Sequence, residues 1–317
     1  MKNPETLTLA LVGANGMLAK MIRETAPEES RVAPFDLPDF DITNRGQVLE
    51  ALAEARPDVI VNCAAFTDVD GCESREELAL RVNGEGPGNL ARAARKLGSV
   101  LVHVSTDYVF DGLGHCPYTE EDPVGPQSAY GRSKLRGERA ILESGLGKYL
   151  IVRTSWLYGP GGKNFVDTIA RLAAEREELR IVADQVGSPT YTQDLARALF
   201  NLIDAETGQK SASGPGPYGL YHFSNEGTCT WYEFAREIIA GLREGSQPVN
   251  VRRILPISTE EYPLPARRPA YSVLSKEKYR RVTGKDVPDW RDGLARYLMR
   301  RGVVNRGDEK KGQACKS

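Results

Sequence analysis

The chain has few of the residues that build metal sites and disulfide frameworks. Its three histidines, His103, His115 and His222, are scattered, so neither a metal cluster nor a histidine-based nucleophile system is expected, and each is read as structural. Its five cysteines, Cys63, Cys72, Cys116, Cys229 and Cys315, are odd in number and include no CxxC pair. That argues against disulfides and zinc and fits a reducing cytoplasm. Long apolar runs are missing too: the longest, such as "LIVRTSWLYG", are broken well short of the ~20 residues that cross a bilayer. The opening "MKNPETLTLALVGANGMLAK" runs from its apolar stretch straight into glycines and reads as a first strand, not a signal peptide. Net charge is only −1, with no basic tract interleaved with aromatics, so nucleic acid is not an expected partner. The charge is uneven, however: residues 251–317 hold 17 Lys+Arg against 8 Asp+Glu. The pairs Arg252-Arg253, Arg267-Arg268, Arg280-Arg281 and Arg300-Arg301 read as a solvated basic face, with an anionic ligand such as a diphosphate as the alternative.

What is present is an alternation. Short β-branched runs take turns with longer amphipathic ones: "LTLALVG" then "MLAKMIRETA", "RVAPFD" then "RGQVLEALAEAR", "DVIVNCAA" then "GEGPGNLARAARKLG", "SVLVHVS" then "SAYGRSKLRGERAILES", and lastly "KYLIVRTSW". Strand and helix in turn imply right-handed crossovers and a doubly wound α/β domain with a parallel sheet over residues 1–155. Residues 156–303 are expected to form largely a smaller substrate-binding lobe, with segments near 165–200 and 220–245 extending the first domain. "TGQKSASGPGPYG" reads as an exposed loop and 304–317 as a disordered tail.

The first strand enters "GANGMLA", with Gly13, Gly16 and Ala19 at three-residue spacing. Glycines at a strand-to-helix turn let the backbone approach a pyrophosphate, whose charge is met by free amides and the helix N-terminus. The second strand ends on Asp36, where a dinucleotide fold carries the acid that binds the adenosine ribose, and a carboxylate there leans towards NADH over NADPH. Asp41 and Ile42 either flank an adenine or merely precede a helix capped by Thr43 or Asn44. Ala64 and Ala65 leave room for a flat ligand after the third strand. The fourth strand finishes at Ser105, Thr106 and Asp107, at the same sheet edge.

Tyr130 and Lys134 stand four apart at the start of the next helix and share one face. Thirteen tyrosines, in a chain where roughly one residue in 25 is lysine, make a chance YxxxK about an even bet, so the motif has weight only through its position. Lowering a tyrosine pKa from ~10 to ~7 takes roughly 4 kcal/mol, about what an ammonium ~4 Å away supplies at an effective dielectric near 20. With Thr106 holding a substrate oxygen and Tyr130 protonating it, the expected reaction is hydride transfer between a nicotinamide and a carbonyl carbon, with no metal.

"VNCAAFTDVDGCE", "VSTDYVFDG", "PYTEEDPVGPQSAYGRSK", "RTSWLYGPGGKNF", "VADQVGSPT" and "RPAYSVLS" together resemble the extended short-chain dehydrogenase/reductase family, and within it the dTDP-4-dehydrorhamnose reductases, from about Leu9 to Tyr279. The resemblance implies that Tyr130 is the proton donor, Lys134 binds the nicotinamide ribose and tunes the tyrosine, and Thr106 with Asp107 contacts the sugar. It implies that Gly16, Met17, Leu18, Asp36, Asp41, Ile42, Ala64 and Ala65 line NADPH or NADH, and that Trp156 packs on the substrate. The implied reaction reduces the C4 keto group of dTDP-4-dehydro-L-rhamnose, a step towards surface polysaccharide. Met17, Ala19, Cys63 and Phe66 depart from the relatives' usual Gln, Gly, Ala and Tyr or His, which bears on nicotinamide preference. A dehydratase of the superfamily carries Glu after the Thr-Asp pair, where Tyr108 stands here. An epimerase, or a regulatory subunit similar to the methionine adenosyltransferase beta subunit, is the other alternative. The assembly is not legible, a homodimer being one option.

Overall fold

The computed structural model describes residues 6–208 and 217–302. Its first half runs β1 (Thr8–Val12), α1 (Met17–Thr25), β2 (Arg31–Phe35), α2 (Arg45–Ala55), β3 (Val59–Asn62), α3 (Val69–Ser74), α4 (Glu76–Ala79), a π-helical turn (Leu80–Glu85), α5 (Gly86–Leu97), β4 (Val100–Thr106), α6 (Ala129–Glu143) and β5 (Tyr149–Thr154). The second continues with β6 (Leu157–Tyr158), α7 (Phe165–Glu175), β7 (Glu178–Val182), β8 (Val186–Gly187), β9 (Thr190–Tyr191), α8 (Thr192–Gly208), β10 (Gly219–His222), β11 (Cys229–Thr230), α9 (Trp231–Glu244), β12 (Arg253–Ile257), α10 (Glu277–Thr283) and α11 (Trp290–Arg300).

Six parallel strands form one sheet in the order β10-β5-β4-β3-β1-β2. The inner strands β1, β3, β4 and β5 are buried on both faces, alternate side chains meeting the helices on either side. Leu9 and Leu11 of β1 pack with Leu18, Met21 and Ile22 of α1 and Leu195, Leu199 and Leu202 of α8. Ala10 and Val12 turn the other way, towards Val48 and Leu52 of α2 and Leu90 and Ala94 of α5. The chain leaves β1 for β2 on one side and later fills β3 on the other. The crevice beyond the carboxyl ends of β1 and β3 is therefore a topological switch point, where open α/β sheets take their ligands.

A second core gathers Val166 and Ile169 of α7, Phe234 and Ile238 of α9, and Trp290 and Leu294 of α11. Three two-stranded pairs, β6 with β9, β7 with β12 and β8 with β11, accompany it. This corrects one expectation. α7 and α9 do not extend the first domain, because their apolar stripes meet each other and α11; α8 packs on α1 and β10 joins the main sheet. The tail expected from residue 304 lies outside the described residues, as does most of the Gly/Ser/Pro-rich loop. Among the described residues no helix is long and apolar enough to cross a membrane.

Six arginines of the C-terminal pairs meet acids, although Arg252 and Arg253 stay largely exposed. Arg252 and Arg253 meet Glu177 and Glu178, Arg268 meets Asp70, Arg280 meets Glu226, and Arg300 and Arg301 meet Glu24 and Asp167. The basic end of the chain thus neutralises acids donated mostly by earlier segments.

Candidate active site

The glycine turn is shaped by a backbone contact. Gly13 has φ +75°, and a β-carbon there would lie 2.6 Å from the Ala64 nitrogen and 2.7 Å from its Cα. A side chain at position 13 would push β1 away from the Ala64-Ala65 segment and fill the crevice. Gly16 forms the N-cap of α1 without any side-chain cap, so the first amides of that helix, those of Met17 and Leu18 among them, have no side-chain acceptor. An uncapped helix N-terminus behind a glycine turn suits a pyrophosphate. Met17 is half-buried against Gly162, whereas the Leu18 side chain belongs to the first core and can offer a ligand only its main chain.

Asp36 closes the same turn from the end of β2. Its carboxylate accepts from the Asn15 amide at 2.7 Å and from the Leu37 amide at 2.8 Å, which fixes it beside the crevice. Asp41 accepts from the Thr43 amide at 2.8 Å, and Asn44, not Thr43, caps α2 by accepting from Gln47 at 3.1 Å. The Ile42 side chain is core, packed where a β-carbon on Gly86 would stand 2.5 Å away. The residues present fit a dinucleotide: a bare helix end, a cradle that a β-carbon would fill, and an acid beside it.

The reacting end is built where α6 meets β4. Ser128 caps α6 through the Gly131 amide, and the Ala129 amide is held by Glu73 at 2.8 Å. Gly131 has no side chain because none fits: a β-carbon would lie 2.2 Å from the Tyr108 carbonyl oxygen. This approach brings Tyr130 beside the Thr106 hydroxyl, and the Tyr130 and Tyr108 rings meet edge to face at 5.5 Å. Thr106 donates to Asp107 Oδ1 at 2.9 Å. Burial pushes the Asp107 carboxyl up to about 6, against the Thr106 and Ser272 hydroxyls, which act the other way. The Asp107 side chain is almost fully buried beside Thr106.

Lys134 is anchored to β4. Its Nζ donates to the Val104 carbonyl at 2.7 Å and stands 3.4 Å from His103 Nε2. Burial lowers its pKa to about 8, opposed by Glu138 and Cys63. The Tyr130 phenol, instead of being drawn down, is pushed up, first by burial and then by Asp107, with Thr106 opposing. Burial disfavours the charged phenolate, so desolvation is the leading cause of that rise.

Several participants were not legible in the sequence. His103, fully buried, is held well below its usual pKa by burial and then by Lys134; it pairs with Asn62 at 2.9 Å, and Asn62 Oδ1 in turn accepts the Ala64 amide at 3.1 Å. Ser105 bonds Glu138 at 2.5 Å, and Glu138 takes a bidentate Arg153 at 2.9 and 2.7 Å. Trp156, with φ +47°, stacks on Trp231 at 3.5 Å, and Trp231 Nε1 donates to Gln185 at 3.1 Å. Gly16, Asp36, Ala64 and Ala65 thus gather around the Gly13 crevice, and Thr106, Asp107 and Tyr130 form a second group at the β4 end with Lys134 behind it.

The family described as the RmlD substrate binding domain matches residues 7–302. Over 287 residues the chain is 42% identical to a dTDP-4-dehydrorhamnose reductase of Burkholderia thailandensis, covering 90% of this chain and 96% of that protein. It is 40% identical over 288 residues to a probable dTDP-4,6-dihydroxy-2-methyloxan-3-one 4-ketoreductase of Streptomyces antibioticus, covering 90% and 92%. The crystal structure of dTDP-4-dehydrorhamnose reductase from Bacillus anthracis in complex with NADP matches with a TM-score of 0.85 at 42% identity, covering 93% of this chain and 99% of that one. With its glycine crevice, its Thr106 and its Tyr130-Lys134 pair in one fold, the chain belongs to this RmlD family, together with the dTDP-4-dehydrorhamnose reductases it matches.

Proposed function

We propose that the protein is a dTDP-4-dehydrorhamnose reductase that reduces the C4 keto group of dTDP-4-dehydro-L-rhamnose to dTDP-L-rhamnose with NAD(P)H. The observation that carries this reading is the approach of α6 to β4 through Gly131, which brings Tyr130 to Thr106 at the sheet edge where the Gly13 crevice opens. The main-chain amides of Met17 and Leu18, behind the turn that Gly13 and Gly16 make, would hold the pyrophosphate. Asp36 would take the adenosine ribose hydroxyls, Asp41 and Ile42 the adenine, and Ala64 and Ala65 the flat face. A bound NAD(P)H supplies the hydride for C4.

The chain's own chemistry is the proton. A phenol pushed above its usual pKa stays protonated through the neutral range, which suits a donor to the oxygen that becomes charged as C4 is reduced. Tyr130 delivers that proton, Thr106 holds the oxygen, Lys134 offers its ammonium to the nicotinamide ribose, and Trp156, backed by Trp231, packs on the substrate. The four described cysteines, all free thiols, fit a reducing cytoplasm.

A second substrate is favoured by one observation: a probable 4-ketoreductase of a different dTDP-sugar is 40% identical to this chain. The test follows NADH and NADPH absorbance with dTDP-4-dehydro-L-rhamnose and identifies the product sugar. Formation of dTDP-L-rhamnose with nicotinamide consumed one for one supports the proposal. Retained cofactor with no net consumption would instead mark an epimerase.

A further inference from the structure

Beside Thr106 lie two polar atoms that the fold leaves unsatisfied. Asp107 is 2% exposed and Ser272 1%. Asp107 Oδ1 accepts the Thr106 hydroxyl, while Asp107 Oδ2 and Ser272 Oγ have no hydrogen-bond partner among the described residues, although the serine hydroxyl is near enough to lower the carboxyl pKa. The two come from different parts of the chain. Asp107 follows β4, whereas Ser272 lies beyond the Pro-rich connection, its amide fixed to the Val186 carbonyl of β8 at 2.8 Å. The groups around the carboxyl are the Thr106 and Ser272 hydroxyls and the Tyr108 and Tyr130 phenols; the Arg268–Asp70 pair acts on Tyr108. Among the described residues no cation pairs with Asp107.

A threonine hydroxyl has one hydrogen to give. When Asp107 is ionised, Thr106 gives that hydrogen to the carboxylate, and its oxygen can then only accept, from Tyr130 for instance. When Asp107 is protonated, the carboxyl donates to Thr106, and the threonine hydrogen is free to point at a ketone oxygen. No bond other than these O–H bonds changes, and the proton is exchanged with solvent. We propose that Asp107, with the Ser272 hydroxyl beside it, is a positioning residue whose protonation decides whether Thr106 donates a hydrogen bond to the ketone oxygen during reduction. The proposal rests on the reductase reading of the site. Burial brings the carboxyl into reach of this role by raising it towards neutrality.

The test measures kcat and KM from about pH 5 to about pH 8.5 for the wild type, Asp107→Asn and Ser272→Ala, with saturating NADPH and dTDP-4-dehydro-L-rhamnose. A donor aimed at a developing oxyanion is worth ~100-fold or more when removed, so wild-type kcat should rise at least ~10-fold as pH falls through about 6, with KM little changed. The amide of Asp107→Asn can donate to Thr106 but cannot titrate, so that limb should vanish. Ser272→Ala removes a hydroxyl that favours the carboxylate, so the limb should move to higher pH. Infrared difference spectra of the full chain without substrate should show one carboxyl band titrating near pH 6 that Asp107→Asn lacks. An active wild type whose limb is shared unchanged by both variants, or whose raised carboxyl survives in Asp107→Asn, overturns this inference alone. A wild type that reduces no dTDP-4-keto sugar overturns the reductase reading, and this inference with it.

Discussion

Gly13 and Ala64 are in backbone contact, and nothing larger than hydrogen fits between them. Alanine at 13 would meet a rigid main chain at 2.6 Å and a left-handed backbone that costs a residue with a β-carbon about 1–2 kcal/mol. At Gly16 the nearest neighbour of such a carbon is the Gly13 carbonyl oxygen, at 3.1 Å, and φ is an ordinary −69°. Gly13→Ala is therefore expected to weaken NADPH binding by at least ~10-fold and to lower the unfolding temperature, Gly16→Ala to do less of both. Fluorescence titration with NADPH and thermal melts check this, and equal losses in the two variants would contradict it.

Tyr130→Phe deletes one oxygen from a half-buried ring whose edge-to-face contact with Tyr108 survives. Turnover is expected to fall by at least ~100-fold, as for the loss of a general acid, with NADPH affinity and melting temperature nearly unchanged. Single-turnover measurement of nicotinamide oxidation separates the chemical step from binding. Near-normal turnover would remove Tyr130 from the reaction.

Glu138 joins the catalytic helix to the sheet through Ser105 and Arg153, both buried. Glu138→Leu would strand a buried guanidinium, one of whose nitrogens, Nη1, already has no partner, and is expected to cost about 3–5 kcal/mol in urea unfolding. Replacing both partners, Glu138→Leu with Arg153→Met, should recover most of that loss, since an apolar pair carries no desolvation cost. If the double variant is no more stable than the single, the ion pair is not what holds this region.

What could be read from the sequence was local in spacing. The Gly13-Gly16 turn, the acid at 36 and the four-residue step from Tyr130 to Lys134 announce themselves because strand ends and helix faces repeat over a few residues. What could not be read depends on partners that only the fold brings together. Arg268 is 17% exposed and clamps Asp70 from 198 positions away, so one arginine of a pair read as solvated in fact ties the Pro-rich connection to α3. Ser272 looks like any loop serine until its burial beside Asp107 is known. The surroundings of Tyr130 are of the same kind. The Tyr-Lys spacing gives proximity, but not that burial pushes the phenol up, nor that Lys134 Nζ donates to Val104 and lies beside His103.

His222 sets an acid limit on the fold. Its ring is fully buried beside Phe110, with Nδ1 at 3.0 Å from the Tyr118 carbonyl, and burial, then Arg153, lowers its pKa to about 3 from an ordinary value of 6.5. Below pH 6.5 the unfolded chain binds a proton that the folded chain refuses until about pH 3, so stability falls across that window as pH drops. One such proton makes the slope approach about 1.4 kcal/mol per pH unit. Asp107 works in the opposite direction, because its raised carboxyl binds a proton in the folded chain first and stabilises it as pH falls through about 6. His222→Gln removes only the first effect. The difference in unfolding free energy between about pH 7 and about pH 5, from urea melts, should therefore shrink in that variant by up to ~2 kcal/mol. An undiminished difference would mean that protonation elsewhere sets the acid limit.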